Sequence, residues 1–374
     1  MFMNFDFISD EEEEVLEMVP RPREPRLFRE RVDFFNMWRD KEFFKRFRLT
    51  KETVLQILET IRPDIELTMR NHTVSPLNSL LLTLRFFATG SFLMTAGDFS
   101  GVSEATAFCC IWRVAEALIR IRNQHIFMPS TPEEIAEIQM KFYNMASFPR
   151  VLGVIDGTHV KIQSPGGAEA EIFRNRKGYF SKNVQVLAGP DLEILDISTG
   201  WPGSAHDLTV FNASRLNHRL EAGEWGDKVI LGDSGYECRP HILVPVPNAV
   251  TEGEIMYNES LIRTRQLVER TFGVWKRRFP ILAIGIRCSL RTMFKFNYYI
   301  VACAILHNIA VRNKEPVPVV DNEVAVPVYN MLNDIHIDPL DVNAPHRLAV
   351  REALIQNYFA LLAYNNDDDA DSDH

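Results

Sequence analysis

The hydrophobic pattern changes its period at Val151, and this change restricts the chain to folds in which helices precede a sheet. From Phe34 to Pro149 short apolar runs (Phe43-Phe44, Val54-Leu55, Ile57-Leu58, Leu80 to Phe87) return at three- and four-residue steps, with Pro63, Pro76 and Pro132 as punctuation. From Val151 the runs VLGVIDGTHVKI, NVQVLAGPD and LEILDISTGWPG read as three strands, with turns expected at Gly189-Pro190-Asp191 and at Gly157. The first is rich in Val and Ile with little alternation, as in a strand covered on both faces. A helix follows over SAHDLTVFNASRL with Ser204 as its candidate cap, then a strand in KVILGDSGY and another in HILVPV. In LIRTRQLVERTFGVWKRRF the apolar stripe Val268, Phe272, Trp275, Phe279 steps as a helix does. Two further helices are expected in FNYYIVACAILHNIAVRN and HRLAVREALIQNYFALLAY. Short turns between the first three strands permit hairpins. The expected class is therefore α/β, a mixed five-stranded sheet with helices that starts antiparallel, preceded by an all-helical unit.

With 46% hydrophobic and 24% charged residues in 374, the chain is ordinary globular material and can bury a sizeable core. No apolar run approaches the ~18 residues of a membrane span. The opening MFMNFDFISDEEEE has no positive charge before its apolar residues, so a secretory signal is not expected. Five cysteines without C-x-x-C spacing point to free thiols rather than a zinc site. The net charge of −9 is unevenly spread. Residues 1–17 hold seven acids and no base, residues 316–345 five, and residues 365–374 five; one surplus base in 346–364 then leaves 18–315 at +7. A basic body thus lies between acidic, solvated ends.

Three carboxylates stand where carboxylates are awkward. Asp156 interrupts the apolar run GVIDGTHV, Asp233 ends VILGDSGY, and Glu269 lies at the margin of a helix stripe. If the first and fourth strands are neighbours and the helix packs on them, the three converge. Clustered anions need compensation, which a hard divalent cation with oxygen ligands supplies. Two such ions can activate water and stabilise the leaving oxygen of a phosphodiester. The plainer reading is that Asp156 and Asp233 shape turns beside Gly157 and Gly232 while Glu269 pairs with Arg265.

Six segments in order, GVIDGTHVKI, NRKGYFSKNVQVLAGPD, WPGSAHDLTVFNAS, VILGDSGY, RTRQLVERTFGVWKRRFPIL and VACAILHNIAV, resemble the PIF/Harbinger-type DDE transposases and the nuclease-like proteins derived from them. The resemblance covers roughly residues 75–312. It implies an RNase H-like catalytic domain whose Asp-Asp-Glu site is Asp156, Asp233 and Glu269, loaded with Mg²⁺ or Mn²⁺. The implied function is metal-dependent endonuclease chemistry on DNA, with strand transfer in mobile members. The alternative is a domesticated, non-catalytic DNA-binding or chromatin-adaptor protein. A Myb-like DNA-binding partner and a nuclear location, with the cytoplasm as a further one, are also implied. Asp207, in GSAHD, is a fourth acid in a family segment and a candidate metal contact or supporting group. His206 beside it lacks the second His-Asp pair of an HD phosphohydrolase. GDSG at 232–235 lacks the flanking residues of a trypsin-like protease.

Residues 261–295 carry nine bases against the single acid Glu269, and Arg174, Arg176, Lys177 and Lys182 form a second cluster. Phosphate backbones require such charge, and Arg277, Arg278 and Arg287 are the expected DNA-facing members of the longer segment. Residues 77–121 read as a helix-turn-helix-like unit, with Gly101 at the turn and Ser103 as cap. Its last helix opens with Glu104, which repels phosphate, so base reading, a structural role and a homodimer contact all remain open. The expected division is an acidic tail (1–26), a helical domain (27–149), the nuclease domain (150–312), a Pro-rich acidic arm (313–345), a last helix (346–364) and an acidic tail (365–374).

Overall fold

The computed structural model describes residues 32–66, 73–167, 170–287, 294–319 and 345–364. Both acidic ends and most of the Pro-rich arm lie outside the described residues. Helices α1 (Phe34–Met37), α2 (Asp40–Phe47), α3 (Lys51–Ile65), α4 (Pro76–Thr89), α5 (Leu93–Ser100), α6 (Glu104–Arg120), α7 (Arg122–His125) and α8 (Pro132–Ala146) come first. Their starts are written locally. Thr50, Ser75 and Ser103 each accept a backbone N–H of the first turn, and Thr131 with Glu134 makes a capping box. Pro76 and Pro132 open their helices, whereas Pro63 lies inside α3, near its end, instead of closing it. Gly101 turns α5 into α6 at φ 65°.

The sheet comprises β1 (Val151–Lys161), β2 (Ser181–Ala188), β3 (Ile194–Pro202), β4 (Val229–Leu231) and β5 (Ile242–Leu243), in the order β3-β2-β1-β4-β5. β1 pairs β2 and β2 pairs β3 antiparallel, while β1–β4 and β4–β5 are parallel. This is the mixed sheet with an antiparallel start that the strand runs imply, and it is consistent with the RNase H-like domain that the resemblance implies. Gly157 is not a turn: it lies within β1, opposite Gln185. A Cβ there would meet Asp207 Oδ1 at 2.2 Å, so the glycine permits a close approach rather than a bend. Helices α9 (Asp207–Asn212) and α10 (Arg215–Glu221) connect β3 to β4. α9 starts at Asp207 with His206 as its N-cap, so Ser204 is not the cap.

After β5 come α11 (Glu252–Arg278), α12 (Ile281–Ile284), α13 (Phe294–Arg312) and α14 (Pro345–Leu354), the last extended by a π-helical turn Ile355–Phe359. α11, about 40 Å long, lies against β1 and β2. Val268, Phe272 and Trp275 are buried on it, and its buried Thr264 and Thr271 donate back to the carbonyls of Ser260 and Leu267. Phe86 and Phe87 pack on Tyr299 of α13, and Phe87 also on Phe279, so the N-terminal helices and the sheet share one apolar core. The buried Asn308 of α13 grips edge strand β3: its Oδ1 accepts from Ile194 N at 2.8 Å and its Nδ2 donates to Ile194 O at 2.7 Å. No described helix is long and apolar enough to cross a membrane.

Candidate active site

The parallel pairing of β1 with β4 brings the first two acids together. Val154 is opposite Leu231; two residues further along each chain stand Asp156 and Asp233. A separation of 77 residues thus closes to adjacent strands, Asp156 midway along β1 and Asp233 just past the end of β4. Asp156 Oδ1 accepts the N–H of Gly157 at 2.7 Å, and Asp233 Oδ1 accepts that of Gly235 at 2.9 Å. Burial first, and then the charge of Asp233, push the Asp156 carboxyl well above its usual range, with Arg265 opposing and Asp207 adding.

Asp207 is the third acid drawn in, lying against the backbone at Gly157. Its Oδ1 accepts from Asn183 Nδ2 at 2.8 Å, and Gln185 Nε2 bridges the Asp207 carbonyl and the Tyr236 hydroxyl at 3.1 and 3.0 Å. Burial raises the Asp207 carboxyl, Asn183 lowers it and Asp233 raises it again. The buried Tyr236 hydroxyl is held well above its ordinary pKa by desolvation and then by Asp207, Asp156 and Asp233. Asn183 and Gln185 are supporting residues absent from the site expected from sequence. Their signal is legible: two amides at i and i+2, interleaved with Val184 and Val186 in a strand, occupy one face.

Glu269 lies on α11, the helix packed on β1 and β2. It is half-buried on α11, and burial raises its carboxyl while Arg265, one turn earlier, lowers it. The ion pair of Arg265 is with Asp156, Nη2 to Oδ2 at 3.5 Å, so the plain Arg265–Glu269 pairing expected from i,i+4 spacing is replaced by a contact across to the sheet. Among the described residues, no group of three or more His, Cys, Asp or Glu side chains is placed to hold a metal ion. The donor chemistry of the Asp156–Asp233 pair fits a hard cation, since both are oxygen ligands in mutual repulsion.

The basic residues divide sharply. Arg176 and Lys177 are exposed beside the acids: Arg176 meets His206 Nδ1 at 2.7 Å and its charge reaches Asp207, while that of Lys177 reaches His159 and Lys276. Arg174 is exposed and forked onto Glu171 at 2.7 and 3.0 Å. Lys182 is buried on β2 near the Phe173 ring, and burial pushes it down to about 8. Arg277 is half-buried and donates to Gly273 O, and Arg287 is exposed over Phe92. Arg278 is 1% exposed and donates to the carbonyls of Arg48 and Pro316 at 2.9 and 3.0 Å. Arg278 and Lys182 are therefore corrected from DNA-facing to interior residues. The number of charges on a helix cannot distinguish a cation that faces solvent from one that ties two segments together.

Lys276, likewise counted among surface bases, is buried, with Nζ donating to Thr158 Oγ1 at 2.7 Å and His159 O at 3.1 Å. Burial, then Lys177, pushes it down to about 7. A base whose folded pKa is lowered costs stability below that value, and the cost fades as pH rises toward the unfolded value of ~10.4. Wild-type stability is expected to climb between pH 7 and 10 by at most about 1.4 kcal/mol per pH unit from this group. Lys276→Met should remove that climb, and urea unfolding of both chains at pH 7 and pH 10 checks it. An equal slope in both would show that Lys276 is charged in the fold.

A family model described as DDE superfamily endonuclease matches residues 155–308, a span that holds Asp156, Asp233 and Glu269. The human protein named "Putative nuclease HARBI1" is 34% identical over 247 residues, covering 66% of this chain and 70% of its own. The Arabidopsis thaliana protein named antagonist of like heterochromatin protein 1 is 24% identical over 294 residues, 73% of each chain. No solved structure matches. The mouse protein of the same name as the human one is 33% identical over 299 residues, 78% of this chain and 83% of its own. With the sheet order, the acids on β1 and just beyond β4 and this span of identity in agreement, the chain belongs to the DDE superfamily endonucleases derived from Harbinger transposases.

Proposed function

We propose that the protein is a metal-dependent DNA endonuclease that hydrolyses phosphodiester bonds. The observation that carries this reading is the convergence of Asp156, midway along β1, with Asp233, just past the end of its parallel neighbour β4, where burial and mutual repulsion leave negative charge in need of a cation. Asp156 and Asp233 would hold Mg²⁺ or Mn²⁺, with Glu269 completing the set. When bound, the metal supplies water activation and stabilisation of the leaving 3′ oxygen. The remaining work falls to the chain itself. Asn183 and Gln185 orient Asp207 against Gly157, and Arg176 and Lys177 flank the acids to receive the DNA backbone.

Helix α6 is a poor base reader. Glu104 is exposed at its start, Arg120 is committed to Asp64 at 2.5 Å, and Lys295 from α13 covers the Phe108 and Trp112 rings. The family resemblance implies a separate Myb-like DNA-binding protein for site selection and action in the nucleus, and a poor base-reading helix is compatible with such a partner. A second reading, a non-catalytic chromatin protein, is favoured because no group of three or more His, Cys, Asp or Glu side chains among the described residues is placed to hold a metal ion. Purified protein on supercoiled plasmid distinguishes the two. The endonuclease reading expects nicks that require Mg²⁺ or Mn²⁺ and vanish with EDTA; intact plasmid at every metal concentration, with DNA still bound, would favour the second.

A further inference from the structure

Arg265 combines burial with an incomplete set of partners. Its residue is 6% exposed, on the face of α11 that meets the sheet. Its ion pair to Asp156 is single-ended and long at 3.5 Å. Its Nε is buried and has no hydrogen-bond partner. A guanidinium in a settled buried role is expected to make forked, short contacts, because a hydrogen bond left unmade in the interior is not replaced by water. Arg278, also buried and likewise without a partner for its Nε, shows a more settled form, with contacts to the carbonyls of Arg48 and Pro316 at 2.9 and 3.0 Å. Arg265 instead lies between two acids on different elements, Asp156 on β1 and Glu269 one turn further along α11, and its charge acts on both.

We propose that Arg265 is a displaceable internal cation, a positioning residue that balances Asp156 while no metal is bound and yields that place to a divalent cation, turning toward Glu269 on its own helix. The inference rests on the metal-dependent reading above. It accounts for the long, incomplete ion pair of a buried guanidinium. From i to i+4 on a helix an arginine and a glutamate are within reach of one another, so the movement needs only side-chain rotation. Metal affinity is then set by competition with the chain's own charge.

The test is Mn²⁺ binding to the full chain by calorimetry, with circular dichroism to verify folding. Wild type is expected to bind weakly and Asp156→Asn to lose binding. Arg265→Gln should bind about tenfold more tightly, the scale on which one neighbouring charge acts. Arg265→Lys, which keeps the charge, should return to the wild-type value. A folded Arg265→Gln that binds no more tightly than wild type overturns the inference while leaving the endonuclease reading intact. If neither wild type nor Arg265→Gln binds Mn²⁺, the metal reading falls and the inference with it. Should Arg265→Gln fail to fold, the wild-type chain decides. The Nε–H resonance of Arg265, assigned by its absence in Arg265→Lys, must shift when Mg²⁺ is added; an unmoved resonance overturns the proposal.

Discussion

Asp156→Asn is expected to lower plasmid nicking by on the order of 10²–10³-fold or more, the scale of losing one central electrostatic group, while leaving the circular dichroism spectrum unchanged. Asn is nearly isosteric with Asp, and its Oδ1 can still accept the Gly157 N–H that Asp156 accepts at 2.7 Å. What disappears is the charge. In the metal-free chain that charge is a burden, because burial and Asp233 raise the Asp156 carboxyl. A carboxyl whose folded pKa is raised favours the fold below its unfolded value and loses that stability as pH rises through the folded value. At pH 7 in EDTA the Asn variant is therefore expected to melt no lower than wild type. Wild-type nicking in the variant would place the chemistry elsewhere. A large fall in its melting temperature would show that the Arg265 contact outweighs the repulsion.

DNA affinity is expected to follow the surface beside the acids rather than helix α6. Replacing Arg176, Lys177 and Arg287 with Ala should flatten the log–log salt dependence of duplex binding by about 0.9 for each phosphate no longer neutralised, or about 2.7 for three. Arg113→Ala combined with Arg120→Ala should leave the slope nearly unchanged. Arg113 is half-buried, and Arg120 already neutralises Asp64 at 2.5 Å. Arg278 is excluded from the first set because it holds the carbonyls of Arg48 and Pro316. Its removal would unfold rather than report. Salt titration of both folded variants decides the matter. If the α6 pair loses slope and the triple variant keeps it, the helix-turn-helix-like unit is the DNA-facing surface.

The sequence pattern was enough for the element types and for the candidate acids. The Val/Ile run at Val151, the hairpin turn at Gly189-Pro190-Asp191, the Ser103 cap and the Val268–Phe272–Trp275 stripe are local signals. Local signals survive folding because backbone hydrogen bonding and side-chain periodicity act over a few residues. Asp156, Asp233 and Glu269 were visible for the same reason, as carboxylates interrupting apolar periodicity.

Contacts between distant segments were not legible in this way. Only the parallel β1–β4 register decides that Asp156 and Asp233 stand together, and only the packing of α11 decides that Arg265 turns to the sheet while Glu269 stays at its margin. Gly157 read as a turn because a glycine beside an aspartate usually makes one. Its actual role, room for Asp207, depends on a residue fifty positions later. Lys182, Lys276 and Arg278 read as surface charge because burying a cation is costly. The fold meets that cost with an aromatic ring, with Thr158 and His159, and with two carbonyls from remote segments. Composition and periodicity therefore determined which elements form and which acids are candidates. The tertiary structure decided which charges meet, because burial and electrostatic pairing depend on distances that sequence separation does not encode.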